Sequence, residues 1–246
     1  MRFIENIKLQ RRAYKYKNKL DQGGIAYINA TIEPGQTVLD IGAHKAGYLY
    51  FILKKVGVMG KVFAFEPQSK LYQYIKKIKG LFKWDNVTLE HLALSDSAGT
   101  VTLYIPDNNA QNGSSPGATI VAGENHSTFK KTESVSTETL DTYCKRLNIE
   151  PDFLKIDVEG NELKIFQGGI NTLKKYKPKI IVEIEERHVG QEKVLETFKF
   201  MESLGYTGHL LHGLYSIPLS NFSFELHQNT DDMKNYSNNF TFEYHL

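Results

Sequence analysis

Two acids stand 26 positions apart, Asp40 closing the apolar run "TVLD" and Glu66 closing "KVFAFE", and a glycine turn, "IGAHKAG", follows the first of them. A strand that ends in an acid and turns through glycine into a helix is the first half of a nucleotide-binding βαβ unit, and an acid at the end of the second strand accepts both hydroxyl hydrogens of a ribose. Glycine lets the backbone come close to a ligand, and the helix start presents free N–H groups. Glu66, which precedes Pro67, could otherwise serve as a helix-start acid. The dinucleotide fingerprint needs a second glycine two places after the first, where this chain carries His44. That counts against NAD and favours S-adenosylmethionine, which has no phosphate and needs only the close backbone that Gly42, Ala43 and Gly47 offer.

A second acidic group lies further on. Asp157 and Glu159 end "DFLKIDVE", Glu162 opens the next helical segment, Glu183 and Glu185 share one face of "KIIVEIE", and His188 follows. If these runs are parallel neighbours, their carboxyl ends converge on one cleft. A neutral hydroxyl that is to act as a nucleophile must lose a proton to a nearby base, so Asp157, Glu159 and His188 are the candidate catalytic residues. Each has a plainer role open to it: Asp157 as a cap on a helix starting near Gly160, Glu159 as a helix N-terminal acid, His188 as a packing residue. Asp157, Glu183 and His188 also offer the oxygen-rich donors that suit magnesium or manganese, without the fixed spacing of a metal motif.

The elements that must position these residues follow from periodicity. "TVLDI" (37–41), "KVFAFE" (61–66), "NVTLEHLAL" (86–94), "DFLKIDV" (152–158) and "KIIVEIE" (179–185) read as strands buried on both faces. Helical spacing appears in "AGYLYFILKKVG", in "SKLYQYIKKIKG" after a Ser69 cap, in "NELKIFQGGINTLKKY", and in "EKVLETFKFMESLG", which Gly205 stops. Strand and helix thus alternate at least four times, the pattern of a parallel sheet with right-handed crossovers. Residues 2–19 read as a basic amphipathic helix ending before Gly23-Gly24 and lying solvated across the domain. Residues 106–135 read as a long loop excursion, and "YTGHLLHGLYSIPL" and "NNFTFEYHL" as further strands with an antiparallel edge.

The 246 residues suit a single domain: a basic helical extension over 1–30, a cofactor-binding core over 31–205, and C-terminal strands over 206–246. Thirty Lys and Arg against 28 Asp and Glu leave a net charge of +2, too balanced for a dedicated nucleic-acid binder. Cys144, the single cysteine, sits in the helical pattern "LDTYCKRL" as a packed thiol and excludes a disulfide framework. No run approaches the length of a membrane span or a signal peptide, so the expectation is a cytoplasmic protein.

Six blocks in order, "VLDIGAHKAGY", "GKVFAFEP", "NVTLEHLALSDSAGTVTLY", "STETLDTYC", "DFLKIDVEGNELKIFQGG" and "KPKIIVEIEERH", resemble the FkbM family of S-adenosylmethionine-dependent methyltransferases over roughly residues 37–188. The resemblance implies a class I methyltransferase fold: a Rossmann-like seven-stranded mixed sheet of order 3-2-1-4-5-7-6 with helices on both faces. It places Asp40 and the turn from Gly42 to Gly47, with Ala43 and His44, at the methionine part of the cofactor, and Glu66 at the ribose. Ala93 and Leu94, with Asp96 beyond, fall near the adenine, and Asp157 beside the methyl. The family pattern has asparagine where this chain has His44 and glycine where it has Ala46. The implied activity is O-methylation of a sugar, glycan precursor or secondary metabolite, with "NGSSPGATI" (112–120) reaching over the cofactor. An RNA methyltransferase using residues 2–19, a methyltransferase-fold binding protein without catalysis, and an NAD-linked oxidoreductase are the alternatives.

Overall fold

The computed structural model describes residues 2–106, 118–120 and 129–244. Most of "NGSSPGATI", and with it the middle of the expected excursion, lies outside the described residues. The chain opens with helix α1 (Arg2–Lys15), a π-helical turn (Tyr16–Leu20) and α2 (Gln22–Thr31). The first half of the domain then runs through β1 (Thr37–Ile41), α3 (Gly47–Val56), β2 (Lys61–Phe65), α4 (Ser69–Phe82) and β3 (Val87–Glu90). After β4 (Ala93–Ser95), β5 (Gly99–Pro106), β6 (Phe129–Thr139) and α5 (Leu140–Leu147) come β7 (Phe153–Ile156), α6 (Glu162–Gln167), α7 (Ile170–Tyr176) and β8 (Lys179–Glu183). The chain ends with α8 (Glu186–Val189), α9 (Gln191–Ser203), β9 (Tyr206–His212), β10 (Tyr215–Pro218), α10 (Phe224–His227) and β11 (Asn239–Tyr244).

The large sheet has the order β3-β2-β1-β7-β8-β11-β9-β10. From β3 to β8 neighbours are parallel, while β11 runs antiparallel to both β8 and β9. This is the expected 3-2-1-4-5-7-6 order with an eighth strand, β10, hairpinned onto the β9 edge. Alternate residues of each central strand feed opposite cores, as the two-residue pleat requires. Leu39, Leu154 and Ile180 pack with Tyr143, Phe166 and Phe198 on one face. Val38, Phe153 and Ile181 pack with Ile25, Leu49 and Ile75 on the other.

Several expectations need correction. The run 86–94 is two strands, because β3 stays with β2 whereas β4 joins a separate three-stranded sheet, β4-β6-β5. The last part of the excursion is not loop: β6 pairs antiparallel with β5 from Gly99 to Pro106. Residues 161–176 form two helices broken at Gly168-Gly169, where the Gly168 carbonyl accepts a bond from the Asp141 N–H instead of continuing the helix. Ser69 does not cap α4; its own N–H donates to Glu133 Oε2 at 2.9 Å, so a carboxylate of β6 receives the helix start.

The N-terminal helix is likewise not a solvated rod. Glu5, Leu9 and Ala13 are buried at helical spacing against α3 and α4, and Lys77 reaches Glu5 at 2.9 Å. As expected, the first helical segment ends before Gly23-Gly24, at Leu20; the two glycines lie inside α2 behind an Asp21 cap that accepts from the Gly24 N–H at 2.8 Å.

Among the described glycines the tightest approach lies at the C-terminal ends of β1 and β7. Gly42 has φ +82°, and a Cβ there would fall 1.8 Å from the Asp157 carbonyl oxygen. Side chains are both strained and excluded at this point. Gly42→Ala should therefore cost at least about 2 kcal/mol in urea unfolding; an unchanged midpoint would show that the β1 and β7 ends separate freely.

Candidate active site

Above the carboxyl ends of β1, β2, β7 and β8 lies a cleft of about 260 Å³. The turn after β1 gives it Gly42 and His44, the segment after β2 gives Glu66, Pro67 and Gln68, and the chain around β4 gives Leu92, Ala93 and Leu94. From the β7 end come Asp157, Val158, Glu159 and Asn161, and from β8 and α8 come Glu183 and Arg187. Leu103, Ala118 and Ile120 close one side from the small sheet, where the Thr119 hydroxyl donates to the Glu159 carbonyl at 2.7 Å. Tyr16 closes the other side. Half-buried, it follows the stripe of Glu5, Leu9 and Ala13 on the N-terminal helix and opens the π-helical turn, a frequent mark of functional sites. Arg12 fixes that helix to the glycine turn through the Lys45 carbonyl.

Glu66 is 3% exposed, and its two carboxylate oxygens accept the backbone N–H groups of His44 at 2.7 Å and Gln68 at 2.8 Å. Burial pushes its pKa up to about 8 in spite of these donors, which favour the anion. Further donors, such as a pair of vicinal hydroxyls, would complete the carboxylate's shell. His44 sits in the left-handed region with φ +48°, and burial, with the Lys45 charge, lowers its pKa to about 4. It is a neutral imidazole whose Nε2 is buried without a hydrogen-bond partner. Asn161, 2% exposed, donates to the Leu94 carbonyl at 2.9 Å and leaves its Oδ1 without a partner.

Beneath the cleft, Lys155 projects from the middle of β7, 4% exposed. Its Nζ donates to the Gly42 carbonyl at 2.7 Å and lies 3.4 Å from Asp157 Oδ2 and 3.5 Å from Asp40 Oδ1. Burial alone would lower the lysine pKa, but Asp157 and Asp40 carry it above its ordinary value. Asp40 is fully buried, and burial raises its pKa; among the described residues the Lys155 ammonium is the cation that offsets it. Removing one member of such a buried set leaves an uncompensated charge, a loss of about 3–5 kcal/mol.

Across the cleft, burial and then the charge of Asp157 raise the Glu183 pKa well above the carboxylate range. Its neighbour Glu185 is buried, yet Glu183, Arg187, Tyr236 and Asn238 hold it down to about 2. Asn238 Nδ2 bridges the two, 2.8 Å from Glu183 Oε1 and 2.8 Å from Glu185 Oε1. Two adjacent carboxyls pushed apart in this way take different parts: Glu183 gains proton affinity, while Glu185 stays charged. His188 Nε2 lies 2.7 Å from Glu159 Oε2. Burial would lower the His188 pKa, but Glu159 raises it above the ordinary value.

Of the residues expected at the site, Gly42, His44, Glu66, Ala93, Leu94, Asp157 and Glu159 line the cleft. Asp40, Ala43 and Gly47 do not. Asp40 lies below Lys155, the Ala43 N–H is bonded to the Phe65 carbonyl, and Gly47 supports the Tyr16 ring, which passes 2.6 Å from where a Cβ would be. Ala46 takes the left-handed conformation, φ +62°, where the family's glycine belongs, and Gly47 leaves room for Tyr16. His188 does not line the cleft; its Nε2 contacts Glu159, which does. Asp157 does not cap the helix that follows: α6 starts at Glu162 with Asn161 in the N-cap position, and the Gly160 N–H goes to Glu162 Oε1. Asp96 bonds Ser95 and Ser97 outside the cleft. The donor set Asp157, Glu183 and His188 does not converge; among the described residues no three His, Cys, Asp or Glu side chains are arranged to hold a metal ion.

Lys155, Tyr16, Asn161 and Arg187 were not expected at the site. A lysine inside the buried run "DFLKIDV" was the signal for the first, and the spacing Leu9, Ala13, Tyr16 for the second. Nothing in the sequence singled out Asn161 or Arg187.

Buried polar atoms without partners at His44 and Asn161, an acid ending β2, and a backbone cradle at Gly42 fit an adenosine cofactor without a pyrophosphate. Among the described residues no helix is long and apolar enough to cross a membrane. The chain matches the family profile described as the methyltransferase FkbM domain over residues 40–207. No curated protein matches it in sequence. In structure it resembles the FkbM methyltransferase of Methylobacillus flagellatus, with TM-score 0.54 and 14% identity over 89% of this chain and 50% of that one. The chain thus spans half the length of that protein. It also resembles an rRNA-methylase candidate from Clostridium thermocellum, with TM-score 0.53 and 17% identity over 92% of this chain and 96% of that one. A third likeness is to Aeropyrum pernix fibrillarin holding natively bound S-adenosylmethionine, with TM-score 0.50 and 8% identity over 89% of this chain and 73% of that one. At these identities the likenesses establish the fold, while the profile establishes the family: the chain belongs to the FkbM methyltransferases and is an S-adenosylmethionine-dependent methyltransferase domain.

Proposed function

We propose that this protein methylates a hydroxyl oxygen of a sugar, glycan precursor or hydroxylated metabolite. The observation that carries the reading is the carboxyl pair Asp157 and Glu183 facing one cleft, with Glu183 pushed to high proton affinity. The bound cofactor would supply an electrophilic methyl group on a sulfonium. The chain's own residues supply the rest. Glu66 holds the ribose hydroxyls, and Leu92, Ala93, Leu94 and Pro67 give an apolar slot for the adenine. His44 and the Gly42 backbone face the methionine part, and Asn161 Oδ1 is an acceptor within the same cleft.

An alcohol needs a base, and in its ionised form a carboxyl of raised proton affinity is a stronger base than an ordinary carboxylate. Asp157 orients the acceptor, steadied by Lys155, and Glu183 takes its proton. Glu185, Arg187 and Asn238 stabilise the change of charge around Glu183. Holding the acceptor oxygen in line supplies much of the remaining rate. The His188–Glu159 pair stands at the rim as a charged gatepost rather than as a free base.

The test is incubation with methyl-labelled S-adenosylmethionine and neutral hydroxylated acceptors. Label that survives alkaline hydrolysis as an ether supports the reading; label found solely on nitrogen or in base-labile esters overturns it. In an active assay, Glu183→Gln should lower kcat roughly 100-fold or more and abolish the rise of rate with pH, while the affinity for S-adenosylhomocysteine stays unchanged. A variant that keeps that rising limb would move the base elsewhere. The cofactor side makes a separate expectation. Because the free carboxyl of Glu66 has a pKa of about 8 and ribose hydroxyls bond its anion, binding of S-adenosylhomocysteine releases a proton below that pH. Affinity should rise between pH 6.5 and about 8.5 in the wild type and be flat and weaker, by about 2–3 kcal/mol, in Glu66→Gln. A pH-independent wild type would remove Glu66 from the ribose.

A further inference from the structure

A second depression, of about 480 Å³, lies between the start of α2 and the C-terminal strands. Among the described residues none lines both it and the cleft, but side-chain contacts join their walls at two points. Asn238 lines the groove and is bonded to Glu183, which lines the cleft. Asp21 lines the groove and accepts the Tyr48 hydroxyl, and the Tyr48 ring stands edge-on to Tyr16 at 5.8 Å. The groove walls are fixed, since Gly23 of α2 packs directly on the Gly213 carbonyl at the turn between β9 and β10.

The chemistry of its lining is two-sided. Ser237, Asn238 and Asn239 bring hydroxyl and amide groups to the lining, with the exposed Gln22 beside them. Leu20, Tyr215 and Met233 stand at the rim, 66%, 76% and 68% exposed. Exposed apolar side chains gathered around one polar depression mark a contact surface rather than scatter. A sugar ring has the matching character, with C–H faces that lie on aromatic and aliphatic side chains and a rim of hydroxyls that pair with amides. Lys19 and Lys234 are balanced in part by Asp21, which is not the basic track that a nucleic-acid backbone requires.

Resting on the reading of the cleft as a hydroxyl methyltransferase, we infer that this groove is the acceptor-binding subsite and that it takes a neutral oligosaccharide of more than one sugar unit. One unit of the chain then lies at Asp157 and Glu183 while its neighbours run past Asn238 toward Tyr215. The N-terminal extension and the C-terminal hairpin, both outside most of the cofactor-binding strands, thereby select the substrate.

The experiment uses the full chain saturated with S-adenosylhomocysteine, on a printed array of defined neutral and acidic glycans, followed by titration of the best neutral binder in solution. Neutral oligosaccharides should bind with little salt dependence. Tyr215→Ala and Gln22→Ala, both at exposed positions, should each weaken that binding 10-fold or more with the affinity for S-adenosylhomocysteine unchanged. If S-adenosylhomocysteine binds and no neutral glycan does, or if both variants bind glycan as the wild type does, the groove assignment is overturned. Binding confined to acidic glycans, or to a single-stranded RNA probe with steep salt dependence, also overturns it. Failure of S-adenosylhomocysteine to bind would instead strike the methyltransferase reading. A glycan that binds through Tyr215 but is never methylated would leave the groove standing and remove the hydroxyl chemistry.

Discussion

One buried cation organises the site. Lys155 is a charge inside a β-strand that is buried along its whole length, and such a charge is tolerated only when opposite charges and carbonyls surround it. Here the Gly42 carbonyl, Asp157 and Asp40 do so, and each comes from the carboxyl end of β1 or β7. The contact therefore fixes the spacing of the two central strand ends, the direction of the glycine turn, and the place of Asp157 at the cleft. The close approach of Gly42 to the Asp157 carbonyl completes the same junction from the backbone side.

Charges on the other side of the cleft obey the same rule of compensation. Glu183 is half-buried and Glu185 buried, and they coexist because one is raised and the other is held down by Arg187, Tyr236 and Asn238. Tyr236 and Asn238 precede β11, and Tyr16 belongs to the N-terminal extension. Residues far apart in sequence thus meet the core's carboxyls at one point. On the proposed reading, the N-terminal and C-terminal segments build the acceptor end on a cofactor platform supplied by the middle of the chain.

The platform was largely legible before the structure. Unbroken apolar runs gave β1, β2, β7 and β8 to within two residues at either end, because strands covered on both faces carry no alternation to confuse the reading. Gly42 and Glu66 followed from the strand ends. The small sheet was not legible. "NVTLEHLAL" is continuous in composition, and what divides it is the choice of partner, β2 or β6, which is a long-range property. Asp40 shows the matching error at the site: the acid of the first strand looks like a ligand contact in sequence, yet its depth below Lys155 makes it a counterion. Tyr16 and the pair Tyr236 and Asn238 escaped because their roles depend on tertiary contacts of segments that look like a basic surface helix and a polar loop.

The central claim is that this cleft holds a methyl donor. Calorimetric titration of the protein with S-adenosylhomocysteine, run beside an identical titration with NAD, tests it most directly. The account predicts saturable one-to-one binding of S-adenosylhomocysteine and none of NAD; binding of NAD, or of neither compound, would contradict it.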